Sequence, residues 1–235
     1  MIPKIIHQIW VGPKKRPDIW MDTFKNDYIN NNPDWEYKLW DDTNISELFN
    51  EFPRMLKIYN IEPTYNGKSD LLRYLILYTY GGIYIDADSV WINNKSFDNL
   101  LSEVNKSKFF LAYEPNANSL CGGIMGSSKK NKYIKNLIDA VENMVKRSKE
   151  NKIYLIDYKR QSRLRGAANR IGPGLLTRLY LNNNEITKFP AIYFYPNGWH
   201  DITRKIDSHT KLDLPNESYT YQYGYTTNGL GKFFE

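Results

Sequence analysis

The stretch that decides the fold is Ser69-Asp-Leu-Leu-Arg-Tyr-Leu-Ile-Leu-Tyr-Thr-Tyr-Gly-Gly-Ile-Tyr-Ile-Asp-Ala-Asp-Ser-Val-Trp91. Its first half places Leu71, Leu72, Leu75, Ile76 and Tyr78 or Thr79 at helical spacing, and Ser69 is a candidate N-cap. Gly81-Gly82 stops the helix, and Ile83-Tyr84-Ile85-Asp86 reads as a buried strand. That strand delivers two carboxylates, Asp86 and Asp88, separated by one residue. Side chains two apart on a strand point to the same side. Carboxylates so placed repel unless a cation lies between them, which suits a hard divalent ion, Mn²⁺ or Mg²⁺. Such an ion completes its shell with water and substrate phosphates, and on a diphosphate it would stabilise the charge of a leaving nucleoside diphosphate. The plainer account is that the two acids solvate a strand end. The carboxyl edge of an open α/β sheet, however, is where ligands bind.

Outward from this unit, strands and helices alternate. Residues 4–11 and 35–40 read as strands, the first stopped by Gly12-Pro13 and the second followed by the turn Asp41-Asp42-Thr43-Asn44. Residues 18–31 and about 45–59 read as helical. Further strands are expected at 109–113, 123–125 and 192–196. A strongly amphipathic helix runs over 133–145, and a short one follows Pro173. The alternation predicts an α/β sheet, mostly parallel and flanked by helices, in a single domain spanning 1–235.

Composition narrows the function classes. The 235 residues carry 32 Lys and Arg against 26 Asp and Glu, a formal charge of +6 that suits a diphosphate as well as a polyanion. The basic clusters, Lys14-Lys15-Arg16 and Arg163, Arg165 and Arg170, are short and lack any nucleic-acid-binding signature, so no nucleic-acid partner is expected. The same net charge makes peripheral contact with an anionic membrane face possible, but nothing in the sequence indicates it. The 19 tyrosines could suit sugars, but Tyr, Asn, Ile and Lys are raised together, as compositional bias would do. Cys121 is the single cysteine, which excludes an intrachain disulfide and, without a His-Asp context, argues against nucleophilic chemistry. With no signal peptide and no apolar span in the sequence given, a cytoplasmic, reducing compartment is expected, although a removed anchor would leave no trace.

Asp70 and Arg73 lie three apart on the helix before the carboxylate pair, hence on one face. They form either a local ion pair or a pair turned to the sheet edge to hold sugar and phosphate oxygens. Other candidates are weaker. His7, inside the first strand, is expected to make a buried hydrogen bond rather than bind metal. His200, beyond a strand end, could touch an acceptor or complete the metal shell, against the plainer reading of a loop histidine without a role. Trp199 could stack on an acceptor sugar or be partly buried in the core. Gly122-Gly123 either admits a close backbone approach or turns the chain.

Four segments occur in order: Ile2-Pro-Lys-Ile-Ile-His-Gln-Ile-Trp10, Asn32-Pro-Asp-Trp-Glu-Tyr-Lys-Leu-Trp40, Ser69-Asp-Leu-Leu-Arg-Tyr74 and Gly81-Gly-Ile-Tyr-Ile-Asp-Ala-Asp88. Together they resemble the DxD-containing glycosyltransferases, which include yeast mannosyltransferases and capsular-polysaccharide sugar transferases. The likeness extends more distantly to the catalytic domain of large clostridial glucosylating toxins. It runs through roughly the first 95 residues, and four ordered motifs are far more specific than one. Ile171-Gly-Pro-Gly-Leu-Leu-Thr177 looks like a later element of the same family.

The resemblance implies a GT-A fold, a nucleotide-sugar donor, a divalent metal, and transfer of a hexose with retention to a glycan, lipid-linked glycan or protein. It implies that Ile9 and Trp10 hold the base, Trp10 by stacking, and that Asp70 and Arg73, with Tyr74 beside them, grip the donor sugar. Asp86 and Ala87 would lie against the donor, Asp86 close to the metal and Asp88 ligating it directly. The C-terminal part departs from the pattern. A His followed by a Ser-Trp pair is expected there, and the chain has Tyr221-Gln-Tyr-Gly-Tyr-Thr-Thr-Asn228, with Gln222 or Thr227 as stand-ins. Two rival readings remain. One is a nucleotidyltransferase of the polymerase-β type, which Gly67-Lys-Ser69 and Asp86-Ala-Asp88 mimic; the other is an inactive nucleotide-sugar-binding protein.

Overall fold

The computed structural model describes residues 1–115, 118–151, 163–196, 198 and 214–234. Around Gly81-Gly82, α4 (Tyr65–Tyr80) passes into β3 (Gly82–Ile85). The helix starts earlier than the stripe suggested. Thr64 is the N-cap and accepts from the Gly67 amide, so Ser69 lies inside the first turns rather than at the cap. Every residue from Asp70 to Leu77 is buried, which makes α4 the central helix rather than a surface one. At the junction both glycines have positive φ, 69° and 96°. A Cβ on Gly82 would sit 2.6 Å from the Ile5 carbonyl oxygen, so only glycine lets β3 run this close to β1 (Ile5–Ile9).

The main sheet has the order β2-β1-β3-β6-β5-β7. Here β2 is Glu36–Trp40, β5 Phe109–Tyr113, β6 Leu120–Ser127 and β7 Thr187–Phe189. Three of its five pairings are parallel (β1 with β2, β1 with β3, β5 with β7), and β6 runs antiparallel to both neighbours. A small antiparallel pair stands apart: β4 (Ser89–Trp91) with β8 (Thr220–Gln222).

Both faces of the main sheet are covered. Along β5, Phe109 and Leu111 enter one apolar cluster and Phe110 and Ala112 the other, the period-two pattern of a strand buried on both sides. The first cluster packs under α3 (Pro53–Ile61), α4, α6 (Lys132–Asn151) and α8 (Pro173–Tyr180), with α7 (Arg163–Arg170) against α4. The second holds Tyr28, from the helical run of α1 (Asp18–Asp22), a π-helical turn (Thr23–Tyr28) and α2 (Ile29–Asn31), and Phe97, from α5 (Phe97–Ser102), with Trp35 just before β2 and Tyr219 just before β8. No helix among the described residues is long and apolar enough to cross a membrane.

One expected strand is absent. Residues 192–196 do not pair; Ala191–Tyr193 is a 3₁₀ turn closed by the Phe194 amide on the Ala191 carbonyl at 3.0 Å. The alternating Tyr-Phe-Tyr packs aromatic rings instead, with Phe194 against Phe189 and Tyr219. The strand lies just before it, at β7.

His7 behaves as a core histidine. Its Nδ1 accepts from the Trp40 indole at 3.1 Å, so Nε2 carries the proton and donates to the Gly81 carbonyl at 2.8 Å. Both nitrogens are thus spent on joining β1 to β2 and to the α4–β3 turn. Burial drives its pKa down from 6.5 to about 4. The unfolded chain therefore binds a proton near pH 6.5 and the folded chain only near pH 4. Between those values the unfolded state holds more protons, so this histidine contributes stability above pH 6.5 that is lost as pH falls toward 4. The loss is about 3 kcal/mol. Urea unfolding of the wild type and His7→Gln at pH 7.5 and 4.5 should show a shallower acid loss in the variant. Equal losses would contradict this account.

Candidate active site

β3 ends at Ile85, and residues 86–88 form a turn into β4 closed by the Ser89 amide on the Asp86 carbonyl at 3.1 Å. The two carboxylates are therefore carried by a turn, and strand alternation is not what aligns them. They converge on one group: Gln222 Nε2 donates to Asp86 Oδ2 at 3.0 Å and to Asp88 Oδ1 at 2.9 Å. The pairing of Ser89 with Gln222 across β4 and β8 puts the amide there. The Tyr225 amide donates to the other Asp88 oxygen at 2.7 Å, and the Tyr223 amide to the Asp88 carbonyl at 2.9 Å. Asp88 thus anchors the C-terminal segment. Burial, then the neighbouring Asp86, raises its carboxyl to about 7, against the pull of the Tyr225 amide and Gln222. From the other side, Gln8 Nε2 donates to the Asp86 carbonyl at 3.2 Å and tethers the turn to β1.

Arg73 is the buried cation of the site. Its guanidinium lies 3.0 Å from Asp70 and 3.3 Å from Asp86, donates to the Gly122 carbonyl, and rests 4.4 Å from the centre of the Tyr84 ring. The Tyr84 hydroxyl in turn donates to Asp86 Oδ1 at 2.6 Å. Burial raises the Asp70 carboxyl to about 7, opposed by Arg73. Asp70 and Arg73 are each only 6% exposed. Of the two accounts of this pair, the solvated surface ion pair does not hold, because both side chains face the sheet edge.

These groups line a cleft of about 830 Å³ at the carboxyl ends of β1 and β3. Ile9, Trp10, Asp70, Arg73, Asp86, Ala87 and Asp88 all border it, and so do Gln222 and Thr227. Tyr74 does not. It is fully buried, and its hydroxyl donates to the Ile171 carbonyl at 2.5 Å, so it braces α4 against the turn before α8 rather than touching a ligand. Trp10 is half-buried, with its indole N–H on the Lys14 carbonyl at 2.8 Å and its ring edge-on to Tyr225 at 5.3 Å. Gly122 and Gly123 lie within β6 and do not turn the chain. A Cβ on Gly122 would meet Arg73 at 2.6 Å, and one on Gly123 would meet Asp86 at 3.0 Å. Cys121 borders the cleft, but burial pushes its thiol up to about 12, which keeps it protonated. Trp199 and His200 lie outside the described residues.

Sequence reasoning missed Tyr84, Lys14 and Tyr225 as cleft residues. Tyr84 was legible in principle, since it stands two before Asp86 and faces the same side. Lys14 sits beyond Gly12-Pro13 and Tyr225 comes from the far end of the chain, so nothing local signals either.

The donor set suits a hard cation. Two carboxylate oxygens already share one positively polarised N–H₂ group, and the amide beside them carries an oxygen of its own. Among the described residues no third acidic, His or Cys side chain joins them, which fits an ion that keeps water and phosphate ligands.

Residues 17–107 match the family model described as glycosyltransferase sugar-binding region containing DXD motif. Inositol phosphoceramide mannosyltransferase 3 of Schizosaccharomyces pombe is 42% identical over 88 residues, 37% of this chain and 24% of that protein. Initiation-specific alpha-1,6-mannosyltransferase of Candida albicans is 25% identical over 230 residues, covering 85% of this chain and 58% of its own. The match to the first of these relatives thus spans about a quarter of its length. Among solved structures, the glycosyltransferase domain of the YGT toxin bound to UDP superposes with a TM-score of 0.58 at 10% identity, over 80% of this chain and 79% of that one. The PaToxG glycosyltransferase gives 0.52 at 21% identity, over 75% and 68%. At these identities the likeness speaks for the fold, which is GT-A. Residues 17–107 are therefore similar to the DXD-containing sugar-binding region of glycosyltransferases, and they lie in a GT-A sheet whose carboxyl edge holds the cleft.

Proposed function

We propose that the chain transfers a hexose from a nucleoside-diphosphate sugar to a glycan, lipid-linked glycan or protein acceptor, with retention of configuration and with a divalent metal, Mn²⁺ or Mg²⁺, on the donor diphosphate. The observation that carries this reading is the convergence of Asp86 and Asp88 on a single amide nitrogen, beside the buried Arg73, in a cleft bordered by Trp10. UDP is favoured over GDP on the likeness to the toxins. The relatives named for mannose make that sugar one of those to try.

Asp86 and Asp88 would hold the cation, whose chemistry when bound is to neutralise charge on the departing diphosphate. Arg73, fixed by Asp70, Asp86 and the Gly122 carbonyl, presents a guanidinium that cannot be deprotonated and needs no reorganisation as charge develops. Asp70, raised to about 7, can accept from or donate to a sugar hydroxyl near neutral pH. The protonated Cys121 thiol is not an activated nucleophile, and displacement would take place on the face of the departing group.

Trp10→Ala is expected to raise the donor KM by about tenfold with kcat little changed, because base stacking is worth about 1–3 kcal/mol and lies remote from the reacting carbon. An unchanged KM would remove Trp10 from the base site. The function itself is tested by incubating UDP- and GDP-hexoses with the protein and Mn²⁺ and assaying the freed nucleoside diphosphate. Release of pyrophosphate from a nucleoside triphosphate instead would favour a nucleotidyltransferase.

A further inference from the structure

The amide that joins the two carboxylates is itself only half satisfied. Gln222 Nε2 donates to Asp86 and Asp88, while Oε1 at the other end of the same carboxamide is buried without a hydrogen-bond partner. The side chain is 9% exposed, and Oε1 faces the backbone of Gly123, where a Cβ would stand 3.0 Å from it. A buried carbonyl oxygen left unpaired is costly, and such a group calls for an explanation. Ionised carboxylates accept and do not donate, so they draw the N–H₂ group toward them and leave the oxygen facing away.

A cation between those carboxylates reverses the demand. The N–H₂ group would then point positive hydrogens at a positive ion, while the orphaned oxygen is the kind of neutral, hard ligand that divalent ions accept from Asn and Gln. The exchange needs only a half-turn about the terminal sp³–sp² torsion, which is broad and roughly two-fold. The β4–β8 pairing holds the backbone of Gln222 still meanwhile. The Tyr195 hydroxyl borders the Gly123 side of the space, within 2.9 Å of where that Cβ would lie, and a hydroxyl oxygen can receive the relocated N–H₂.

We propose that Gln222 is a two-position carboxamide: an N–H bridge that keeps Asp86 and Asp88 together before metal arrives, and an oxygen ligand to the cation afterwards. This rests on the metal-assisted reading above and adds the third protein ligand together with the means by which the carboxylate pair is held in place.

Mn²⁺ binding, followed by the electron paramagnetic resonance of the free ion, separates the possibilities, with melting in EDTA as the control for folding. Gln222→Met removes both the bridge and the oxygen, and is expected to weaken Mn²⁺ binding on the order of tenfold. Gln222→Glu supplies a charged oxygen in the same place. It is expected to tighten Mn²⁺ binding while lowering the melting temperature in EDTA, where three carboxylates face one another. If Gln222→Met binds Mn²⁺ as tightly as the wild type or more tightly, the amide only competes with the metal and the inference falls, with the metal reading intact. Should the Met variant not fold, failure of Gln222→Glu to tighten binding overturns the inference in the same way. Absence of Mn²⁺ uptake by the wild type and the Glu variant alike would overturn the metal reading as well.

Discussion

Asp88→Ala is expected to reduce metal-dependent donor turnover by on the order of 10³-fold while leaving the chain folded. The size follows from the role. A metal contributes several kcal/mol of charge stabilisation to the leaving group, and each 1.36 kcal/mol is about tenfold in rate. Folding should survive because two effects oppose. The variant loses the bonds from Gln222 and the Tyr225 amide, yet it also removes a buried carboxylate that burial and Asp86 already hold up at about 7. Mn²⁺-dependent release of nucleoside diphosphate and a thermal melt measure the two parts separately. Turnover near the wild-type level would place the metal elsewhere.

The second large effect belongs to Arg73. Replacing it by Met leaves Asp70 and Asp86 facing each other across a buried space with no cation, and leaves the Gly122 carbonyl without its donor. Removing one partner of a buried ion pair costs about 3–5 kcal/mol. At about 2–4 °C per kcal/mol for a chain of this size, the melting temperature should fall by roughly 10 °C. Arg73→Lys should recover little, since one ammonium cannot serve two carboxylates and a carbonyl at once. Adding Asp70→Asn to Arg73→Met should restore part of the stability, because one stranded charge is gone, without restoring turnover. An Arg73→Met protein that melts like the wild type would mean that the ion pair is solvated and not part of the site.

Much of this arrangement could be read from residues 69–91, because helix, glycine stop and strand each carry a local signal there. The Leu stripe, the positive φ at Gly81 and Gly82 and the apolar run before Asp86 all act within a few residues. Strand existence was also legible at 5–9, 36–40 and 109–113, where β-branched and aromatic residues recur between turn residues. The failures share a cause. Residues 192–196 have the aromatic, β-prone composition of a strand, but their rings are used for packing and their backbone turns after Pro190, so composition alone misassigned them. Thr64 caps α4 through an accepted Gly67 amide, a bond that the nearer Ser69 obscured. Tyr74 sits in a family segment beside Arg73, yet a helical step of one residue turns it by about 100°, away from the cleft and toward Ile171.

The candidate site was half legible. Asp86 and Asp88 could be named from spacing, but the reason assigned to their convergence was strand alternation, and the structure supplies a turn and an amide donated from 134 residues away. Gln222 could be offered as a stand-in from the C-terminal segment, but only the β4–β8 pairing brings it to the carboxylates. Long-range pairings of this kind leave no periodicity in a single sequence, and the cleft wall made by Tyr225 and Thr227 is built entirely from them.

The most direct test is calorimetric titration of UDP, with GDP in parallel, into the protein in Mn²⁺ and again in EDTA. Binding of at least one of the two that weakens by tenfold or more when the metal is removed, and equally in Asp88→Ala, is the predicted result. Nucleotide binding of the same strength with and without metal would contradict the assignment of the two carboxylates to a cation on the diphosphate.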